Sequence, residues 1–191
     1  MLHTGKHPVH IAICIIDSPL PMVNSCYDLG VTISSDLSSS LYINDIVSRA
    51  HQQANLIPKC FVSQNVNLLV RAFVTYVRPL LEYNSYVWSP SHKRDITFIG
   101  KVQRKCTKWL CSYWNLSCDE RLKWLNLDLL ELRRIKADLI LCYKIIFGVV
   151  HLNIQDFFDV ATSSTRVHQF KLYKHFSSCS ARSSFFQWKS C

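Results

Sequence analysis

The spacing of apolar residues changes at about residue 40, from a strand-like opening to a long helical remainder. Val9 to Ile16 is rich in Val and Ile, and Pro19 and Pro21 indicate a turn. Asp28-Leu29-Gly30-Val31 then leads into another short apolar run. Residues 9–31 are therefore predicted to form a β-hairpin or a small sheet.

Two helical patterns come next, with apolar residues at three- and four-residue spacing. The first is predicted to stop at Pro58, and Ser63 is a candidate N-cap for the second. Pro79 should kink or end the second helix, because proline lacks a backbone donor and its ring clashes with the preceding turn. The apolar positions are Ile43, Ile46, Val47, Ala50, Ala54 and Ile57 in the first pattern, and Val66, Leu69, Val70, Phe73, Val77 and Leu80 in the second.

A third helix, predicted over about 93–112, separates apolar from basic residues. Asp95 is the single acidic residue of this stretch, and Gly100 should weaken the helix by roughly 1 kcal/mol relative to alanine. One side carries Ile96, Ile99, Val102, Cys106, Trp109 and Leu110, and the other carries Arg94, Lys101, Arg104, Lys105 and Lys108.

A fourth helix is predicted to begin at Asp128, which forms a capping-box-like pair with Glu131, and to end near Gly148. Residues 160–191 contain no acidic residue and many serines, which predicts a basic, loosely ordered tail. The apolar stripe of the fourth helix is Leu129, Leu132, Ile135, Leu139, Cys142 and Ile146.

The charge balance favours an anionic partner. The 22 Lys and Arg residues exceed the 13 Asp and Glu residues, which gives a formal charge of +9. Nucleic acid is the first expectation and a membrane surface the second. No stretch is long and apolar enough to span a membrane, and the first ten residues do not resemble a signal peptide, so an intracellular location in the cytoplasm or nucleus is expected.

The nine cysteines are irregularly spaced, which predicts mostly buried free thiols in a reducing compartment. His175, Cys179 and Cys191 lack the paired spacing of zinc ligands, so no metal site is expected. The chain also lacks a phosphate-binding P-loop, a nucleophile elbow and an H-E-x-x-H pair, and no cofactor is expected.

Several segments, taken in order, resemble the region downstream of the catalytic palm in LINE-type non-LTR retrotransposon reverse transcriptases of the Jockey and chicken-repeat type. Together they cover about residues 2–172 without reordering. The matching segments are Leu2-His3-Thr4-Gly5, Asp28-Leu29-Gly30-Val31, Tyr76-Val77-Arg78-Pro79-Leu80-Leu81-Glu82-Tyr83, Val87-Trp88-Ser89-Pro90, Val102-Gln103-Arg104-Lys105, Glu120-Arg121-Leu122, Leu130-Glu131-Leu132-Arg133-Arg134, Asp138-Leu139, Tyr143-Lys144, Phe157-Phe158 and Thr165-Arg166.

The resemblance implies a mainly α fold in three parts. Residues 1–38 would be a β-hairpin adjoining the absent palm, residues 39–159 a thumb-like helical bundle, and residues 160–191 the tail. The chain looks like such an enzyme clipped at both ends. It departs from the family at Gly100, where an acidic residue is usual, and at Cys118, where a tyrosine is usual.

A polymerase activity is not expected of this chain. Nucleotide addition needs magnesium ions held by carboxylates, and the sequence contains no Asp-Asp pair. The family places its catalytic aspartates before the point that corresponds to the start of this chain.

The expected activity is at most non-specific binding of an RNA–DNA template–primer or a single strand through the basic side of the third helix and Arg133. An ordinary solvated helix face is the alternative for the basic side, and a pair between Arg134 and Asp138 is the alternative for Arg133-Arg134. Trp109 is expected in the core, whereas Trp88 and Trp114 lie in predicted loops. Two further hypotheses are a translated relic without function and a co-opted protein-interaction module.

Overall fold

The computed structural model describes residues 14–15, 18–19, 21–61, 65–90, 92–110, 116–160 and 172–173. The chain forms two compact units, residues 1–127 (unit 1) and residues 128–191 (unit 2). The described residues are mainly helical, with short antiparallel strands before the helices of unit 1. This confirms the predicted fold class, whereas the division of the chain at residues 38 and 159 stays a prediction.

Unit 1 begins with two antiparallel ladders. The strands β1 (Cys14–Ile15) and β2 (Ser18–Pro19) pair with each other, as do β3 (Ser25–Asp28) and β4 (Val31–Ser34). Asp28 lies opposite Val31, so Leu29 and Gly30 form a two-residue loop. Both loop residues have positive φ, 44° and 82°, as a type I′ turn requires. The predicted hairpin is therefore confirmed at β3–β4.

The first long helix, α1 (Ser40–Cys60), packs on several other elements of unit 1. Its prediction to stop at Pro58 is wrong, because the helix continues for two residues beyond the proline. A proline in the last turn removes one helical hydrogen bond only, and the Phe61 amide still donates to the Ile57 carbonyl at 3.0 Å. The buried side chains are Tyr42, Ile43, Ile46, Val47, Ala50 and Ile57.

The second helical pattern is divided into α2 (Val66–Ala72), a π-helical segment (Phe73–Val77), α3 (Arg78–Glu82) and, after a turn, α4 (Ser85–Trp88). The N-cap of α2 is Asn65, whose side chain accepts hydrogen bonds from the amides of Asn67 and Leu68. Ser63, the predicted cap, lies outside the described residues. The helix does not end at Pro79, because the proline lies in the first turn of α3, directly after the π-helical segment. That the proline kinks the helix stays a prediction.

Unit 1 is completed by α5 (Lys93–Leu110) and α6 (Cys118–Trp124). Helix α5 packs against α1 and buries Ile99, Val102 and Leu110. A capping box opens α6, in which the Ser117 hydroxyl accepts from the Glu120 amide and the Glu120 carboxylate accepts from the Ser117 amide.

Unit 2 contains α7 (Leu130–Ile146), α8 (Ile154–Phe157) and a short ladder between β5 (Asp159–Val160) and β6 (Leu172–Tyr173). Phe158 is buried with Cys142 and Ile145, so the aromatic pair at 157–158 packs next to α7. Gly148 has a φ of 65°, and the amides of Gly148 and Val149 donate to the carbonyls of Ile145 and Lys144. This is a Schellman motif, and it confirms the predicted end of the fourth helix.

Two predictions about α7 are wrong. The N-cap is Leu129 without a side-chain hydrogen bond, and Asp128 instead accepts from Lys136 at 2.8 Å. The predicted apolar stripe is largely exposed, because α7 has apolar residues nearly all round and its sequence does not select one face. The exposed members are Leu129, Leu132, Ile135 and Leu139, whereas the buried positions are Leu130, Arg134, Asp138, Cys142 and Ile145.

Candidate nucleic-acid interface

All five basic residues predicted on one side of α5 are exposed, and together they are called the basic stripe. They lie on the side of the helix opposite Ile99, Val102 and Cys106, which are buried. Whether these cations contact nucleic acid stays a prediction. The members of the basic stripe are Arg94, Lys101, Arg104, Lys105 and Lys108.

The carboxylate of Asp95 faces α1 and not the exposed side of α5 that carries the basic stripe. Its side chain is 7% exposed, and its Oδ2 accepts a hydrogen bond from the Ser40 hydroxyl at 3.1 Å, at the start of α1. The exposed side of α5 therefore carries cations and no carboxylate of its own helix. A surface of one sign gives a stronger field than an ordinary helix face with mixed charges.

Arg104 is held along the surface of its own helix. Its Nη2 donates to the Thr97 carbonyl oxygen at 2.9 Å, and this path crosses Gly100. A Cβ at position 100 would lie 3.6 Å from Nη2, which is ordinary contact. The guanidinium is thus placed in the middle of the basic stripe by a bond to the backbone, and not by a carboxylate.

Lys105 is connected to α1. Its Nζ donates to Asn55 Oδ1 at 3.2 Å. His51, also on α1, is half-buried, and its Nδ1 is buried without a hydrogen-bond partner among the described residues. Burial lowers the pKa of His51 below its usual value, and the charge of Lys105 lowers it further. His51 is therefore kept neutral beside the basic stripe at neutral pH.

Arg133 and Arg134 lie in unit 2 and differ in accessibility. Arg133 is half-buried, so it stays a candidate phosphate contact. Arg134 is 5% exposed and shares the buried side of α7 with Asp138, which is 4% exposed. The hypothesis that Arg134 contacts phosphate is therefore wrong, since its guanidinium is not accessible.

The tryptophans are distributed differently from the prediction. Trp88 is buried in α4, where its Nε1 donates to the Tyr83 carbonyl at 2.7 Å and its ring lies 5.5 Å from that of Tyr42. Trp109, expected in the core, is 44% exposed. It lies at the border of the buried side, one turn after Lys105, where helical periodicity alone does not separate the two environments. Trp114 lies outside the described residues.

A cleft of about 480 Å³ lies between the β3–β4 hairpin, α1 and the segment around α3. Sequence reasoning missed it, because its lining comes from three separate stretches of the chain and no local pattern joins them. Arg49 and Gln53 are its polar groups from α1, and four of its eleven lining residues are tyrosines, namely Tyr27, Tyr42, Tyr76 and Tyr83.

The thiols and carboxylates of the described residues form no group of three that could hold a metal ion. Cys26, Cys60, Cys106, Cys118 and Cys142 are free thiols. The prediction that the cysteines are mostly buried is only partly met, because Cys26 and Cys60 are exposed whereas Cys106 and Cys142 are buried. His175, Cys179 and Cys191 lie outside the described residues. In the part of the chain that the structure describes, no helix has both the length and the apolarity that crossing a membrane requires.

Comparison with known proteins gives one distant relative. The chain is 28% identical over 131 residues to a protein of Caenorhabditis elegans that is described as uncharacterized. The match covers 67% of this chain and 66% of the relative, slightly less than two thirds of the relative's length. No protein-family profile matches the sequence. No solved structure matches it either.

Proposed function

We propose that this chain derives from the part of a retrotransposon reverse transcriptase downstream of the catalytic palm, and that it binds nucleic acid without sequence specificity through the basic stripe. The ancestry rests on the ordered segments from Leu2 to Arg166, among them the Arg78-Pro79 corner and the Val102-Gln103-Arg104-Lys105 segment of α5. The binding rests on the structure of α5.

One observation supports the binding most directly: all five cations of the basic stripe are exposed, and the single carboxylate of the helix accepts a hydrogen bond from Ser40. An ordinary solvated helix face mixes charges of both signs and gains a few tenths of a kcal/mol from each pair. Because Asp95 is buried, the exposed side of α5 has no carboxylate of its own helix to form such pairs. A phosphate backbone is the anion that matches a row of positive charges along a helix.

The proposed binding is driven mainly by the release of counterions from the phosphates. If about four phosphates of a duplex are neutralised, affinity should fall roughly a hundredfold between about 50 and 200 mM salt. No magnesium ion and no base-specific hydrogen bond is needed for this step. The protein would therefore bind strands of different sequence with similar affinity.

The test is fluorescence-anisotropy binding of the full chain to a labelled RNA–DNA duplex at two salt concentrations, with circular dichroism on the same samples. We expect steep salt dependence, and a loss of roughly tenfold or more when Arg104, Lys105 and Lys108 are replaced by alanine. The matched control replaces Arg71, Lys123 and Lys144, three exposed cations on other helices, and has the same net charge.

The two triple variants separate a specific surface from net charge. If both lose affinity equally, overall charge explains binding and the basic stripe has no special role. If the folded wild-type chain ignores the duplex at low salt, binding of a duplex through the basic stripe is excluded. If the chain shows no cooperative unfolding, the hypothesis of a translated relic becomes the better one.

A second candidate function, protein interaction, is favoured by α7. Its exposed side carries large apolar residues that are each roughly half exposed, and these are called the apolar face of α7. Together they leave roughly a few hundred Å² of apolar surface, which on a monomer commonly marks an interaction site. The residues are Leu132, Ile135, Leu139, Ile140, Tyr143 and Phe147.

The partner we would test for this face is a second copy of the chain. Sedimentation equilibrium in the presence of reductant should show a dimer that Leu139→Lys dissociates. The control is Leu56→Lys, which introduces the same charge at a similarly exposed leucine of α1. A wild-type chain that stays monomeric at all concentrations would exclude self-association through this face.

A further inference from the structure

Trp109 is placed differently from the other described tryptophans. It lies in the last turn of α5, immediately after Lys108 and one turn after Lys105, and it is 44% exposed. Part of its indole lines a narrow cleft of about 90 Å³ between α1, α2 and α5. The other lining residues are Ala54, Asn55, Ile57, Pro58, Leu69, Phe73, Lys105, Cys106 and Leu110.

The cleft is apolar on one side and polar on the other. The polar side is the pair of Lys105 and Asn55, whose Nζ and Oδ1 are 3.2 Å apart. The amide oxygen of Asn55 accepts from Lys105. The amide N–H groups of Asn55 can therefore donate to an acceptor atom of a ligand. Burial raises the pKa of the Cys106 thiol to about 11, so the cleft contains no thiolate that would repel an anionic ligand.

The size of the cleft limits what enters it. Pockets for drug-sized ligands measure about 300–1,000 Å³, so a cleft of about 90 Å³ admits only the edge of one ring. The rest of a flat ring would lie over the exposed part of the Trp109 indole. A cation beside an aromatic ring is the arrangement by which proteins hold single-stranded nucleic acid, where the cation binds the phosphate and the ring stacks on the base.

We propose that Trp109, with Lys105 and Asn55 beside it, is a stacking site for one unpaired nucleobase. The site rests on the proposed function, since the phosphates of the same strand lie on the basic stripe. In a duplex both faces of each base are covered by neighbouring bases, and only an unpaired base can stack on the indole. The protein therefore prefers a single strand, or the unpaired end of a duplex, to a continuous duplex.

The experiment uses the full chain and three labelled probes: an oligothymidine, a strand of the same length with abasic sites in place of the bases, and a duplex of that length. The wild type should bind the oligothymidine about five- to a hundredfold more tightly than the abasic strand. Tryptophan fluorescence should be quenched by the oligothymidine and not by the abasic strand.

The variant Trp109→Ala should reduce affinity for the oligothymidine to that for the abasic strand, with the salt dependence unchanged because the phosphate contacts remain. Trp109→Phe, which keeps a smaller stacking ring, should recover part of the affinity. The matched control is Trp124→Ala, since Trp124 is 56% exposed on α6 and does not line the cleft. Circular dichroism checks that each variant is folded.

Two failures can be told apart. If salt-dependent binding persists but the wild type binds intact and abasic strands equally, the stacking site is excluded and the basic stripe stands alone as the interface. This comparison needs no variant, so it decides the matter even if Trp109→Ala does not fold. If no probe binds at low salt, the proposed function itself is excluded, and the stacking site with it.

Discussion

The Tyr83 hydroxyl donates a hydrogen bond to the carbonyl oxygen of Leu29 at 2.9 Å, and so ties the tip of the β3–β4 hairpin to the residue that follows α3. The same tyrosine ring lies against Gly30, where an added Cβ would be 3.2 Å from Cε1. Its carbonyl accepts from the buried Trp88. Tyr83 thus connects the hairpin turn to the core, although it lies 54 residues after Leu29.

Replacing Tyr83 with phenylalanine should destabilise unit 1 modestly. The variant loses one hydrogen bond and keeps the ring contact with Gly30, so the free energy of unfolding should fall by about 0.5–1.5 kcal/mol. The lower end is expected because Tyr83 is 54% exposed. Urea denaturation measures the change. Tyr76→Phe is the control, since Tyr76 is 56% exposed in the same cleft and its hydroxyl makes no hydrogen bond to the described residues. If both variants lower the free energy of unfolding equally, the hydrogen bond from Tyr83 to Leu29 does not stabilise unit 1.

Gly100→Ala should stabilise the protein. The residue is inside α5, and an added Cβ would meet Arg104 Nη2 at an ordinary distance of 3.6 Å. The gain should be about 0.5–1 kcal/mol, or roughly 1–4 °C in Tm. Gly148→Ala is an instructive contrast, because its φ of 65° is unfavourable for alanine and the same substitution there should destabilise. A thermal melt of each variant tests the opposite signs.

Gly100→Glu should weaken nucleic-acid binding. A glutamate four residues before Arg104 is placed to pair with it on the helix surface. The pair would neutralise a cation at the centre of the basic stripe and would also add a carboxylate to its exposed side. Anisotropy should show a lower affinity for the RNA–DNA duplex and a shallower salt dependence than in Gly100→Gln. An affinity equal to that of Gly100→Gln would show that Arg104 is not part of the interface.

His51 should make stability depend on pH. Its folded-state pKa is lowered, first by burial and then by Lys105, so the folded chain takes up a proton at lower pH than the unfolded chain does. The stability that neutral His51 contributes is present above about pH 6.5, the unfolded value, and is lost as pH falls through the folded pKa. Urea midpoints at pH 7.5 and 5.5 should differ less in His51→Gln than in the wild type. His92→Gln is the control, because His92 is exposed. If His51→Gln keeps the wild-type difference between the two urea midpoints, a group other than His51 causes the pH dependence.

Ser117→Ala should cost more stability than Asp128→Ala. The Ser117 hydroxyl accepts from the Glu120 amide and caps α6, so its loss should cost about 1 kcal/mol. Asp128 forms a surface pair with Lys136, with side chains 44% and 53% exposed, and such pairs contribute about 0–1 kcal/mol. Chemical denaturation compares the two variants directly. The reverse order would mean that Asp128 supports its helix in a way the pair does not account for.

Sequence reasoning succeeded where one physical signal dominated. In α5 the basic and apolar residues occupy opposite sides, so the period of 3.6 residues placed every member of the basic stripe correctly on the exposed surface. The apolar run expected after Asp28-Leu29-Gly30 was also placed correctly, since β4 begins at Val31. Both features depend on neighbours in the sequence.

Sequence reasoning failed where two sequence patterns fitted equally well, or where a feature depends on contacts between residues far apart in the chain. Both Asp128…Glu131 and Ser117…Glu120 fit the capping-box pattern, and only the second forms the reciprocal bonds. In α7 an apolar residue occurs on almost every side, so the pattern did not reveal that Leu139 is exposed and Asp138 buried. The tyrosine cleft and the exposure of Trp109 depend on packing between helices, which no local pattern encodes.

The π-helical segment from Phe73 to Val77 holds one residue more than an α-helical turn would. Its wide turn is closed by the Arg78 amide, which donates to the Phe73 carbonyl, and Pro79 follows within a continuous helical path. Deleting one residue here would restore the narrower α-helical turn and leave the residues beyond it, among them the buried Leu81, facing the core as before. A deletion in the regular turns of α2 or α3 would instead rotate the following residues by about 100°. In an alignment of related chains, a one-residue gap in this stretch should therefore fall between Phe73 and Val77.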